Sequence, residues 1–406
     1  MKLRTFFTFI LCLTLTCMCL IGCNDNSGTP QFNGNQEMET VMYSGHHDYL
    51  SDGVYVVSRN FDGYIKKYNI KTDRLSRACN CLDKCDDDCL MKWSNRVQLY
   101  ALRNGKIYYS SFYPERGEDE AANKSVYYLA CTDLVTHESR KLYEITASEY
   151  ETFQARCFQD NYAYYVRNIP QVSDPKNEQD YLLSMCRMDL DTAKEQVLFT
   201  AKDQSHISKA FPRLILKDGI VFGDMDTGNL WKVDHDGSNF RWIVKSGTDV
   251  PAIEDSYGIF YKDGYIYYAS YAKEMLGEID NPAGYYIYRV SLENGEVQRL
   301  NDAVVKWLFV TDTCIYFECI FDRDDERGLS YNEHQICAMS YAGEDVRSFP
   351  VLTIKEYPKS AVTGVWFDGG AFYFTCMCED SKERLTTVTI KYDVATCEYV
   401  IVTGES

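Results

Sequence analysis

Two short phrases alternate seven times along this chain, and that repetition limits the fold more than any other feature. The first phrase is an acid or amide, a small or polar residue, and then an aromatic-rich run. It opens at Asp52-Gly53-Val54-Tyr55 and recurs at Asn104-Gly105-Lys106-Ile107-Tyr108-Tyr109, Asp160-Asn161-Tyr162-Ala163-Tyr164-Tyr165 and Asp218-Gly219-Ile220-Val221-Phe222. It returns at Asp263-Gly264-Tyr265-Ile266-Tyr267-Tyr268, Asp312-Thr313-Cys314-Ile315-Tyr316-Phe317 and Asp368-Gly369-Gly370-Ala371-Phe372-Tyr373-Phe374. The Asp-Gly and Asn-Gly pairs suit a tight hairpin turn, which needs positive φ, and the residues after them suit a strand. The second phrase is a strand end followed by Asp, Asn or Ser. It reads Tyr68-Asn69-Ile70, Thr132-Asp133-Leu134, Met188-Asp189-Leu190, Val233-Asp234-His235, Val290-Ser291-Leu292, Met339-Ser340-Tyr341 and Tyr392-Asp393-Val394. Such side chains bond backbone amides two residues on and start a turn.

The first phrase recurs about every 53 residues, near the repeat length of propeller blades. Each unit divides into four strands. In unit five these are residues 256–262, 265–271, 285–291 and 296–300, here termed strands a to d. Tyrosine is abundant (33 residues), proline scarce (9), and no stretch sustains a helical period, so the class is all-β. Two stacked sandwiches would not hold one register over so long a span. The expected fold is a single seven-bladed β-propeller of four-stranded blades over residues 40–406, with six or eight blades as rival counts.

The amino terminus carries a different signal. Lys2 and Arg4 precede an apolar run, residues 6–21, too short for a comfortable membrane-spanning helix. The run ends Leu20-Ile21-Gly22-Cys23, which resembles the lipobox of bacterial lipoproteins. That resemblance implies a signal peptide over 1–22, cleavage before Cys23, and diacylglycerol on the Cys23 thiol. More than one acyl chain makes a stable anchor. Residues 23–39 are rich in Asn, Gly, Ser and Gln and cannot bury enough apolar surface to fold, so they read as a tether. The expected location is the extracytoplasmic side of the cell membrane, held by lipid only.

The repeat phrasing also resembles bacterial propellers whose blades are compared with those of low-density-lipoprotein-receptor-related proteins. The matching phrases are Lys262-Asp263-Gly264-Tyr265-Ile266-Tyr267-Tyr268 and Leu230-Trp231-Lys232-Val233-Asp234-His235-Asp236-Gly237-Ser238-Asn239. The resemblance spans roughly residues 40–404 and implies fold and location but no reaction. The Tyr-Trp-Thr-Asp phrase of the receptor propellers is absent from this chain.

The formal net charge is −18, and removal of Lys2 and Arg4 makes it about −20. So acidic a surface repels nucleic acid and anionic lipid, which excludes both as partners. In a four-stranded blade the b–c and d–a connections share one face, and the a–b and c–d turns share the other. Extra length gathers on the first face, at b–c residues 114–124, 170–179, 273–283 and 322–334. Long connections on one face commonly carry function. Tyr113, Tyr285, Asp322, Asp324 and Tyr331 lie in or beside these segments and are the candidate binding residues. Aromatics with polar tips suit peptide and sugar surfaces alike. An extracellular protein or carbohydrate is the expected ligand, and a monomer the expected state.

A d–a insertion on the same face holds Cys79, Cys81, Cys85 and Cys89. Four thiolates can hold zinc or a related soft metal. The spacing does not match paired Cys-x-x-Cys, and two local disulfides or free thiols are the preferred reading, with no cofactor expected. Cysteines in strands, such as Cys314, Cys376 and Cys378, read as small buried apolar groups. The acidic runs at 224–228 and 322–326 do not complete a calcium loop. Gly-x-Ser-x-Gly, His-Glu-x-x-His and the phosphate loop are absent. A non-catalytic binding or scaffolding module is therefore the leading reading. A surface glycosidase or lyase on a propeller scaffold is the alternative.

Overall fold

The structure is a computed structural model. It describes residues 49–402 except 52–53, 60–64, 73, 82–88, 92–96, 116–123, 147–153, 172–180, 201–209, 225–228, 246–258, 271–284, 302–304, 325–329, 350–353, 358–359, 369 and 380–384. The signal peptide, Cys23, the tether and Cys85 lie outside the described residues.

Twenty-eight strands form seven four-stranded antiparallel sheets, each built from four consecutive strands. The chain is a seven-bladed β-propeller, as the seven repeats require. Blades one to seven occupy residues 49–77, 98–146, 154–200, 210–244, 259–299, 305–348 and 360–402. First strands of successive blades touch from blade one through blade six, and those of blades seven and one touch again. Strand a of each blade thus faces the axis. Blade five runs Ile259–Lys262, Tyr265–Ser270, Tyr286–Ser291 and Val297–Arg299, close to the expected division.

The core is a series of slabs between blades, which explains the aromatic-rich second strands. Successive residues of a strand point to opposite faces. Tyr108 packs with Phe158 toward blade three, whereas Tyr109 packs with Val57 and Ile65 toward blade one. Tyr164 and Tyr165 divide in the same way, as do Tyr267 and Tyr268. A strand buried on both faces has no polar side, so its sequence shows a continuous apolar run rather than alternation. Trp307 on strand a of blade six is buried, and Trp366 on strand a of blade seven is half-buried. Blades seven and one share no exchanged strand, and among the described residues Val56, Tyr68, Ala371, Tyr373 and Val402 are buried together at their junction.

The two sequence phrases are two turn types. At the a–b turn of blade five, Asp263 (φ 49°) and Gly264 (φ 85°) are both left-handed, the conformation that a two-residue hairpin needs. Asn104 and Gly105 repeat it in blade two. At the c–d turn, Asp133 Oδ1 accepts from the amides of Val135 and Thr136. Asn69, Asp189 and Asp393 make the same pair of bonds. Four residues on, His137, Ala193, Gly295 and Cys397 turn left-handed, and each amide returns to the carbonyl of the residue that opened the turn.

Candidate binding face and cysteine cluster

Three b–c hairpins run past the strands that flank them. In blade two, Lys106–Glu115 pairs with Lys124–Asp133 along its whole length, down to Glu115 opposite Lys124. Strand a accompanies it as far as Ser110, and strand d follows its outer strand as far as Val126, opposite Tyr113. In blade six, Ile315–Asp324 pairs with Ser330–Met339, while strand a stops opposite Cys319 and strand d pairs with Cys337 and Ala338, followed by a bond from the Phe349 amide to Ile336 O. In blade three, Tyr162–Pro170 pairs with Tyr181–Asp189, and strand a ends opposite Val166. Hairpin ribbons therefore project from the b–c face of blades two, three and six, two-stranded at their ends and, in blade two, still joined by strand d as far as Val126. In blades one, four and five the corresponding strands have four to six residues.

Within the segments expected as loops, Pro114, Glu115 and Lys124 and residues 322–324 and 330–334 lie in paired strands, and 116–123 and 325–329 lie outside the described residues. Tyr113 lies in the blade-two ribbon opposite Val126. Asp322 and Asp324 lie in the blade-six ribbon opposite Asn332 and Ser330, and Tyr331 lies opposite Arg323. The three occupy alternating register positions of one hairpin. Tyr285 differs from the expectation. It bridges to Val305 of blade six, is 9% exposed, and packs in the core of blades five to seven. Its ring therefore belongs to the seam between blades and not to a ligand surface.

The opposite face is occupied by contacts between blades. Lys67 of blade one donates to the Leu134 carbonyl in the c–d turn of blade two. Arg140 of blade two donates to the Leu190 and Asp191 carbonyls of blade three, at 2.7 and 2.9 Å. Arg241 of blade four donates to Leu292 O of blade five at 2.7 Å, and Arg289 of blade five to Tyr341 O of blade six at 2.9 Å. Each cation stands either two residues before the turn-opening residue or seven after it. Those two positions are direct cross-strand partners on strands c and d, as Cys131 opposite Arg140 and Lys232 opposite Arg241 show. All seven units carry Lys or Arg at one or both: Lys67, Arg140, Arg187, Lys232 with Arg241, Arg289, Arg347 and Lys391. This third periodic signal was available in the sequence and was missed.

His137 and His235 sit in the same turns and have structural partners. His137 Nδ1 is 3.1 Å from Ala78 O and its Nε2 3.2 Å from Lys67 Nζ, while His235 Nε2 is 2.9 Å from Leu216 O. A notch of about 470 Å³ opens here between blades four and five, lined by Asp218, Lys232, Arg241, Asp263 and Glu293 among others. Its Asp218 is paired with Lys232 at 2.5 Å, and this contact lowers the Asp218 pKa. Arg167 and Tyr165 both engage the Glu195 carboxylate at 2.5 Å, tying strands b and d of blade three.

The cysteine insertion joins strand d of blade one to strand a of blade two. Cys79, Cys81 and Cys89 carry thiols whose sulfur atoms all lie within 4.8 Å of one another. Cys79 is buried, and Cys81 and Cys89 are half-buried against Ala78, Leu90, Met91 and Val97. Elsewhere, burial pushes the Cys186 thiol up to about 12 and Cys378 up to about 11, and raises Cys376 as well. These strand cysteines are protonated apolar fillers.

No family model matches the chain, and no curated protein matches it. Among solved structures, it is similar to an oligogalacturonate lyase from Vibrio parahaemolyticus, at 13% identity over 86% of this chain and 93% of that one, with a TM-score of 0.41. The β-propeller domain of the Trilobed protease from Pyrococcus furiosus, described as having an open velcro topology, is 11% identical over 90% and 98% of the chains, with a TM-score of 0.42. A chain of a nidogen/laminin complex is 12% identical over 67% and 88%, with a TM-score of 0.34.

Proposed function

We propose that this chain is a lipid-anchored extracytoplasmic β-propeller that acts as a non-catalytic binding or scaffolding module. Its ligand, an extracellular protein or carbohydrate, docks on the face from which the three ribbons project. The carrying observation is the asymmetry of the two faces. The c–d turns of one are engaged by cations of neighbouring blades, whereas hairpins on the other extend beyond their sheets. A two-stranded ribbon leaves the outer backbone groups of both strands available for pairing with a partner, a recognised mode of peptide capture. The lipobox-like Leu20-Ile21-Gly22-Cys23 and the tether behind it support anchoring at the membrane.

The test uses the mature chain and a variant in which the ribbons of blades two and six are shortened within 114–124 and 322–334. Both are crosslinked to host envelope and the recovered partners compared. The expected outcome is a partner set specific to the wild type and lost from the variant. Recovery of the same partners by both proteins, or of none by either, overturns the assignment of the face. Separately, mass spectrometry of the native protein is expected to find an acylated Cys23, and Cys23→Ser to leave the chain unlipidated. An unmodified amino terminus elsewhere overturns the anchor.

A further inference from the structure

We propose that Cys79, Cys81 and Cys89 form a thiolate site for a soft divalent metal, zinc in the first instance. This does not rest on the binding role above. The three sulfurs converge from positions two and ten residues apart, with all pairs within 4.8 Å. In tetrahedral zinc thiolate, bonds of about 2.3 Å place sulfurs about 3.8 Å apart. The cluster therefore needs to contract by no more than about 1 Å around an ion of that size. Side-chain torsions alone supply a movement of that order.

The backbone around the cluster is held on several sides. The Ala78 amide donates to Ile65 O at 2.9 Å, and Ala78 O meets His137 Nδ1 at 3.1 Å. Arg77 Nη1 donates to Cys81 O at 3.2 Å. Cys79 is 8% exposed, and Leu90 and Met91, just after Cys89, are also buried in the core of blades one and two. A connection fixed at both ends of the cysteine run presents its sulfurs with little left to order on binding.

Charge selects the occupant. Three thiolates this close in a partly apolar setting repel one another strongly, and a divalent cation reduces their sum from −3 to −1. The Arg77 guanidinium, at hydrogen-bond distance from the Cys81 main chain, offsets part of the remainder. Sulfur donors favour zinc and cuprous copper over magnesium or calcium. A disulfide would join two of the three sulfurs and leave the third, whereas one metal engages all three. The remaining tetrahedral position is left to a further donor.

The site braces the connection between blades one and two, beside the c–d turn of blade two, whose His137 Nδ1 lies 3.1 Å from Ala78 O. Because the ligands must lose protons, binding weakens as pH falls.

The test is direct metal binding by the mature chain, purified under reducing conditions and freed of metal. Zinc is titrated with elemental analysis, and cobalt(II) serves as the spectroscopic probe. The expected result is one zinc per chain, with the intense visible bands and thiolate charge transfer of tetrahedral cobalt. Cys81→Ser and Cys89→Ser are both expected to weaken zinc by more than about 100-fold, beyond the loss from removing an outer-sphere partner. Cys397→Ser, a half-buried thiol in blade seven, is expected to bind as wild type. Circular dichroism of each variant without metal shows that the fold persists. Absence of stoichiometric metal, retention of it by both Cys81→Ser and Cys89→Ser, or peptide mapping that finds a disulfide among the three in the native protein overturns the proposal.

Discussion

Gly295 closes the c–d turn of blade five, and replacing it with alanine tests the packing of blades against one another. Its φ is +72°, a left-handed conformation that costs an L-residue about 1–2 kcal/mol. A Cβ built there lies 2.4 Å from the Ile243 carbonyl oxygen of blade four. Ordinary contact begins near 3.4 Å, so something must yield by about 1 Å. The obstacle is backbone beside Trp242 and Val244, which pair with strand c of the same sheet. Overpacking of this kind costs about 1–3 kcal/mol. The loss of glycine's unfolded-chain freedom returns roughly 0.5–1 kcal/mol. Gly295→Ala is therefore expected to destabilise by about 3 kcal/mol and by no less than about 1. Ala193→Gly in blade three is the companion. Ala193 holds the equivalent place at φ 57°, half-buried. Relief of its left-handed strain is offset by glycine's entropy and a partly buried methyl, so the change stays within about 1 kcal/mol of zero. Urea unfolding followed by tryptophan fluorescence, on the mature chain, gives both midpoints. The reasoning fails if Gly295→Ala lies within about 0.5 kcal/mol of wild type, or if Ala193→Gly is as damaging as Gly295→Ala.

Arg140→Met removes two hydrogen bonds to the turn of blade three and is expected to cost about 1–2 kcal/mol, read as a lowered unfolding midpoint, with Arg187→Met as a comparison on the next blade. Asp133, Asp189 and Asp393 titrate below the ordinary aspartate range, because the amides of Thr136, Thr192 and Thr396 respectively donate to them, and Asp218 does so because Lys232 binds it. Their folded pKa values lie below the unfolded ones, so this stability is complete above about pH 4 and is lost as pH falls through the folded values. A thermal midpoint that rises on acidification from about pH 5 to about pH 3 would contradict the sign. Shortening the blade-six ribbon within 322–334 is expected to leave the unfolding midpoint within about 1 kcal/mol of wild type, since strand a of that blade ends opposite Cys319; a large loss would mean that the ribbon is part of the core.

The turns were legible because their chemistry is local. An Asp or Asn that bonds amides two and three residues on, and an Asp-Gly that turns left-handed, carry their reason in adjacent residues. The ribbons were not, because pairing is decided by a strand across the hairpin. Asp322-Arg323-Asp324 reads as a solvated charge run until Asn332, Tyr331 and Ser330 lie opposite, as Glu115 reads as loop until Lys124 does. Tyr285 failed for a related reason. Its bridge is to Val305, the first strand residue of the next blade, and no local pattern announces it. The cysteine cluster falls between. Cys79 and Cys81 are neighbours in sequence, but the approach of Cys89 depends on how the connection seats on Leu90, Met91 and Val97.

The seven basic positions connect the architecture to the proposed ligand face. A propeller whose blades exchange no strand depends on its seams, and here each described clamp runs in one direction, from the cation of one blade to the turn carbonyl of the next. The turn that receives it must keep its length, its opening Asp or Ser, and a left-handed residue three or four places on, or the carbonyl leaves the reach of the cation. Lengthening a c–d turn to build a ligand contact would therefore cost a seam as well as a turn. A b–c hairpin carries no such obligation. Beyond the last pairs with strands a and d, as after Tyr113 or Cys319, residues can be added in pairs without shifting the register inside the blade. Length accumulated where it was free to do so, in the ribbons of blades two, three and six. That is the physical reason for seeking the ligand on their face rather than in the notches between the opposite turns.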